Sequence, residues 1–221
     1  MSLRREDLAA EGFEVLLQQL VPAGTLDFLS AEAREASLQA ALAGAPAGDI
    51  WLFGYGSLMW SPAIHHEGHR IALLRGWHRR FCLWTPLGRG TPEQPGLVLG
   101  LERGGACRGL AFRIDRNRAE TELRLVWRRE MLTAAYVPRW VTLETPGGAL
   151  RAITFVINRS GARYTGRLDE TVTAAAIAGA AGHLGTCRDY LRLAVETLQS
   201  HGIEDRRMAR LNELVARLNA T

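Results

Sequence analysis

The chain contains no lysine: all 27 of its basic residues, set against 23 acidic ones, are arginines. That absence excludes the phosphate-gripping lysine of a P-loop, any Schiff-base lysine and ordinary pyridoxal-phosphate chemistry. It leaves cations whose planar fork suits carboxylates and phosphates, although a GC-rich coding bias explains the missing lysines as readily. Cysteine is scarce. Cys82, Cys107 and Cys187 stand far apart with no C-x-x-C pair, which argues against a zinc site or a disulfide framework and fits a reducing cytoplasm. No apolar run approaches the roughly 18 residues needed to cross a bilayer, and MSLRREDLAAEG opens the chain without an apolar leader. A soluble, unexported protein with no membrane partner is expected. The net charge of +4 is spread over short mixed runs, unlike the basic stripe of a nucleic-acid binder, so no nucleic-acid partner is expected.

With 221 residues, 47% of them hydrophobic, the chain is long enough for one sizeable core plus an appendage. Residues 3–42 read as two helices, the first with Leu16, Leu17 and Leu20 on one face, the second capped by Ser30. Gly44-Ala45-Pro46-Ala47-Gly48 interrupts the pattern, which divides the chain into an N-terminal helical extension, 1–48, and a main domain, 49–221. Beyond it, short β-leaning runs at 50–54, 70–84, 96–103 and 107–114 precede a helix from about Arg116 to Leu132, capped by Asp115. Two further strands flank Pro146-Gly147-Gly148, and Thr186 with Asp189 opens a helix that stops at His201-Gly202. A last amphipathic helix follows, with Leu211, Leu214 and Leu218. Strands grouped ahead of helices argue an α+β fold.

Three stretches could carry chemistry. Gly54-Tyr55-Gly56-Ser57-Leu58 follows an apolar strand, and its glycines would let an anion or a developing oxyanion approach the backbone N–H groups. A plain tight turn would look the same. Glu130 falls on the apolar helical face marked by Leu123, Trp127 and Ala134, while Arg128 and Arg129 point elsewhere on the wheel. Burial and the last turn of a helix would both raise its pKa toward that of a useful base; a boundary glutamate paired with an arginine is the alternative. Arg89, in the Gly/Pro-rich stretch GRGTPEQPG, reads as a clamp or lid for a carboxylate, or as a hairpin connection. His65, His66 and His69 have only Glu67 as an acidic neighbour, so no metal site is assigned.

Together these stretches resemble the ChaC-type γ-glutamylcyclotransferases, the bacterial branch closely. The resemblance rests on FGYGSLMW (53–60), RGWHRRFC (75–82), RGTPEQPG (89–96), GGACRGLAFR (104–113), WRREM (127–131), YVPRW (136–140) and GTCRDYL (185–191). It implies a compact mixed β-barrel with flanking helices, and cleavage of glutathione to 5-oxoproline and cysteinylglycine without metal or organic cofactor. It further implies that Tyr55, Gly56, Ser57 and Leu58 bind the γ-glutamyl group, that Glu130 is the catalytic base and that Tyr164 is a pocket residue. Arg80, Arg89 and Arg113 are the candidate partners of the glycine carboxylate. The extension is the departure from the family pattern; it could cover the pocket, mediate self-association as a homodimer, or pack on the barrel. Two rival readings stay open: turnover of other γ-glutamyl amines, and non-catalytic binding on the same barrel.

Overall fold

In the computed structural model, which describes residues 3–218, five strands close into a barrel. They are β1 (Ile50–Gly54), β2 (His69–Thr85), β3 (Gly96–Ile114), β4 (Tyr136–Thr145) and β5 (Gly148–Ile157), in the order β1-β3-β2-β4-β5. Neighbours run antiparallel except at the seam, where β5 meets β1 in parallel with Leu52 opposite Ile153. Four of the five residues of β1 are buried, so IWLFG is apolar throughout instead of alternating, as expected of a strand covered on both faces.

β2 and β3 are long, and glycine lets them bend. Their register slips between Arg75 and Trp77, around Gly76 at φ 78°, an extra residue of the kind that kinks and twists a strand. The runs expected as two strands, 96–103 and 107–114, are one: β3 continues through Gly104 and Gly105 at φ 99° and 69°. Those glycines bend the strand without ending its pairing.

After β3 comes α4 (Ala119–Glu130), then α5 (Glu170–Gly179), a small hairpin of β6 (Ala181–Gly182) and β7 (Gly185–Thr186), α6 (Cys187–Ser200) and α7 (Arg206–Leu218). Asp115 does not cap α4. Its carboxylate accepts from Asn117 N–H at 2.8 Å, forming a turn, and the helix starts after Arg118. The Thr186 cap is present, its hydroxyl accepting from Asp189 N–H at 3.0 Å, and α6 ends at His201. The sequence reading has no counterpart of α5, whose Ala-rich run lacks a clear apolar stripe.

The extension forms three helices, not two: α1 (Arg5–Ala9), α2 (Phe13–Gln19) and α3 (Ala31–Ala43), the last capped by Ser30. Gly12, at φ 76°, separates the first pair. The expected inward face of α2 is also displaced: Leu16 is 60% and Leu20 40% exposed, while Phe13 is buried with Leu8 against Leu125 of α4. A helix this short is oriented by its one large anchor. Leu38 of α3 joins the main core, and polar ties complete the docking, with Glu14 accepting from Arg128 at 2.8 Å and Trp127 Nε1–H donating to Ser37 at 3.2 Å. Helix α4 is thus held between barrel and extension, with Trp127 edge-on to Phe155 of β5, ring centroids 5.0 Å apart.

Candidate active site

The loop after β1 turns back on itself through two backbone bonds, Met59 N–H to the Gly56 carbonyl at 2.8 Å and Ser61 N–H to the Ser57 carbonyl at 3.0 Å. The N–H groups of Ser57 and Leu58 lie outside that bonding. Close packing explains the glycines here as much as ligand approach does. A Cβ on Gly54 would stand 3.0 Å from Leu58 Cβ, and one on Gly56 would stand 3.3 Å from the Tyr190 hydroxyl. Leu58 is buried, and Tyr55 is held by its phenol, which donates to the Phe155 carbonyl at 2.8 Å.

Glu130 is the last residue of α4, and its side chain is 12% exposed. Burial pushes its carboxyl above the ordinary carboxylate range, against the pull of the neighbouring Arg129 cation. Arg129 does not point away from the site. Its Nε is 3.1 Å from Glu130 Oε1, and its other nitrogens donate to Ser57 Oγ at 2.5 Å and the Ser61 carbonyl at 2.6 Å. One guanidinium therefore joins the carboxylate to the glycine loop.

Three phenols surround this pair. Tyr55 and Tyr136 have pKa values raised well above the phenol range, by burial first and then by neighbouring groups including Glu130, and Tyr190 is pushed up to about 12 by burial. All three stay neutral hydrogen-bonding groups. Tyr136 donates to the Leu99 carbonyl at 2.7 Å, and Tyr190 interacts with Ser57. In sequence Tyr136 and Tyr190 stand only as members of YVPRW and GTCRDYL; nothing local marks either as part of the site, because a strand and a distant helix must first be brought together.

Glu130, Arg129 and Tyr136 line a cavity of about 200 Å³, together with Arg128, Arg163 and His183. Arg163 donates to Thr133 Oγ1 at 2.5 Å and the Trp84 carbonyl at 3.2 Å, and burial lowers its pKa. Arg128 and Arg129 are paired with Glu14 and Glu130, and Arg163 adds a third cation to the cavity, a balance that suits an anionic ligand. A larger hollow, about 370 Å³, lies between α6 and α7, away from every candidate residue.

Other expected site residues fall elsewhere. Arg89 is only 5% exposed; it donates to the Thr186 carbonyl at 3.2 Å and packs over the Tyr190 ring, and it does not line the cavity. Tyr164 bonds Glu102, which also pairs with Arg80, and Arg113 lies beside Asp49 at 3.7 Å. None of Arg80, Arg89, Arg113 or Tyr164 lines the cavity that contains Glu130. Among the described residues no cluster of His, Cys, Asp and Glu is arranged to hold a metal ion, and no helix is long and apolar enough to cross a membrane.

Residues 50–218 match the family model described as ChaC-like protein. The chain belongs to that family. It is 43% identical over 178 residues to the glutathione-specific γ-glutamylcyclotransferase of Escherichia coli (strain K12), covering 80% of this chain and 77% of that one. Glutathione-specific γ-glutamylcyclotransferase 1 of Mus musculus is 30% identical over 158 residues, covering 69% of this chain and 71% of its own. Among solved structures, a yeast γ-glutamyl cyclotransferase specific to glutathione superposes with a TM-score of 0.70 at 21% identity, covering 77% of this chain and 96% of that one. That likeness confirms the barrel with flanking helices as the family's fold.

Proposed function

We propose that the chain cleaves glutathione to 5-oxoproline and cysteinylglycine, with Glu130 as general acid and base. The observation that carries this reading is the Arg129 bridge, which joins a largely buried carboxylate to the Ser57 loop. The substrate follows from family membership and from what the relatives are named for.

The chemistry asks little of a protein beyond positioning. The γ-glutamyl α-amine attacks its own γ-carbonyl, closing a five-membered ring, so the nucleophile arrives tethered and no water or covalent enzyme intermediate is needed. An α-amine of pKa near 8 is about one-tenth unprotonated at neutral pH. Glu130 accepts the proton that amine sheds as the C–N bond forms, then returns one to the departing cysteinyl nitrogen. Its raised pKa brings the carboxyl closer to the working pH, which favours both transfers.

The N–H groups of Ser57 and Leu58 receive the oxyanion and the α-carboxylate, with Tyr55 and Gly56 shaping the loop that presents them. Arg163 is the cation for the glycine carboxylate, because it lines the cavity whereas Arg80, Arg89 and Arg113 do not. We assign residues 49–221 to the catalytic domain and 1–48 to the extension. Three free, buried cysteines are in keeping with a reducing cytoplasm.

The test is to incubate the purified chain with glutathione and, separately, with γ-glutamylalanine, and to quantify 5-oxoproline and the released amine by mass spectrometry. Equimolar 5-oxoproline and cysteinylglycine are expected. Product from γ-glutamylalanine alone would move the reaction to other γ-glutamyl amines, and product from neither would remove the enzymatic reading.

A further inference from the structure

The Glu130 cavity has a second character besides its charge. Leu3, Phe13, Leu17, Leu20 and Leu26 all contribute to its lining, all are apolar, and all come from the extension, outside the family match that begins at residue 50. The barrel adds Leu83 and Val98 to the same surface, and the β6-β7 hairpin adds Leu184. Glutathione itself has little to place against such a wall. Its two ends are carboxylates, and its one short branch is a thiol on a single methylene.

We propose that the chain also cleaves glutathione carrying an apolar substituent on sulfur, and that the extension seats the substituent. This rests on the reading of the site as a glutathione-cleaving centre. If Glu130 protonates the departing cysteinyl nitrogen, the sulfur, only two carbons from that nitrogen, falls within the cavity that Glu130 lines. An alkyl or aryl group on that sulfur then extends along the one part of the substrate with no charge to place. It meets leucine and phenylalanine, and each methylene it buries there is worth about fourfold in binding.

The reaction is unchanged at the reacting atoms. The α-nitrogen bonds to the γ-carbonyl carbon, the bond from that carbon to the cysteinyl nitrogen breaks, and the proton lost by the α-amine is balanced by one gained by the leaving amine. The sulfur keeps its substituent and its oxidation state. The products are 5-oxoproline and an S-substituted cysteinylglycine, with no further reactant required.

The wall is fixed in place from behind. Glu14, on the same helix as Leu17, accepts from Arg128 at 2.8 Å and Arg34 at 3.2 Å, and Arg128 also stacks over Phe13. Arg5 reaches Glu122 of α4, with Nη2 to Oε1 at 3.0 Å. These ties join α1 and α2 to the helix that carries Glu130, so the apolar wall and the carboxylate keep one relative position.

The experiment compares kcat/KM for glutathione, S-methylglutathione and S-hexylglutathione on the full chain, and on the single variants Leu17→Asn and Leu20→Asn. Leu20 is 40% exposed, so its replacement tests the wall with little demand on folding. The expected result is a kcat/KM for S-hexylglutathione equal to or above that for glutathione, with S-methylglutathione between them. In either variant the ratio of S-hexyl to unsubstituted substrate should fall about tenfold. Cleavage of glutathione with S-hexylglutathione more than tenfold slower in the wild-type chain would overturn the proposal, as would a ratio unmoved in both variants. Failure to cleave any of the three substrates would overturn the reading of the site itself, a different outcome.

Discussion

Arg129 and Glu130, adjacent at the end of α4, meet as an ion pair with Nε 3.1 Å from Oε1. Consecutive residues inside a helix do not face each other; these do because the helix stops at Glu130, freeing its carboxylate to turn toward the loop. Arg129 bonds Ser57 with the same guanidinium, so the position of the loop and the charge state of Glu130 depend on one side chain.

Replacing that side chain separates the two effects. Arg129→Met removes the cation that favours ionised Glu130, so the carboxyl's pKa rises further and the acid limb of the pH–rate profile moves to higher pH. Loss of the Ser57 and Ser61 bonds lowers kcat/KM on the plateau by roughly 10–100-fold, the order expected when a positioning group is lost. A pH–rate profile reports both, and an unmoved acid limb would show that Arg129 does not set the ionisation of Glu130.

Glu130→Gln should lose turnover by at least about a hundredfold and still bind glutathione. It should also melt higher than wild type at neutral pH. Burial holds the folded pKa of Glu130 above its unfolded value, so the stability associated with this group is fully present below the unfolded pKa and is lost as pH rises through the folded one. Glutamine has no charge to bury. The variant strands Arg129, but the raised pKa means that burial outweighs the Arg129 attraction. Melting temperatures from pH 4 to pH 8 should show a gap that closes on acidification, and a constant gap would sink the explanation.

The strands and the α+β class are legible because short β-leaning runs are bounded by Gly and Pro, whereas closure into a barrel is implied only by the family resemblance; Glu130 stands out in sequence because a carboxylate on the face of Leu123 and Trp127 breaks a simple rule of patterning. The wheel points Arg129 away from Glu130 because it assumes a helix that continues, and α4 does not. The placement of the arginines is not legible in sequence: Arg89 and Arg163 look equally loop-borne, and only the folded chain puts Arg163 at the cavity and Arg89 over the Tyr190 ring. Leu16 and Leu20 misled because seven residues of α2 are too few for periodicity to outweigh the anchoring of Phe13.

Arg163→Met should raise KM for glutathione about tenfold, the loss expected for one charge-assisted bond in a partly exposed site, with kcat little changed. Glutathione esterified on its glycine carboxylate lacks the group in question, so its KM should barely respond to the same substitution. Equal effects on both substrates would mean that Arg163 acts on the fold of the cavity and not on that carboxylate.

Glu122 is the buried end of the clamp between the extension and α4. Its carboxylate accepts from Arg5 and from the His65 N–H at 2.9 Å. Glu122→Ala orphans that backbone donor and releases Arg5, a loss of about 1–3 kcal/mol by the usual penalty for an unsatisfied buried group. Urea unfolding should show a lower midpoint at an unchanged m-value, and a midpoint equal to that of the wild type would mean that the extension is held without it.

A last prediction concerns the glycine that faces a tyrosine. A methyl group on Gly56 would stand 3.3 Å from the Tyr190 hydroxyl and 3.5 Å from Leu99 Cδ1, so Gly56→Ala must displace the phenol by a few tenths of an ångström. Because Tyr190 also interacts with Ser57, that displacement reaches the loop assigned to the oxyanion and should lower kcat/KM about tenfold, as small misplacements at a reacting centre do. Tyr190→Phe removes the oxygen that the methyl group would strike. In that background Gly56→Ala should cost far less, and the double-mutant cycle should show a coupling of the kind that residues in contact display. Additive losses would mean that Gly56 is needed for the approach of a ligand to the backbone, and not for the seat of Tyr190.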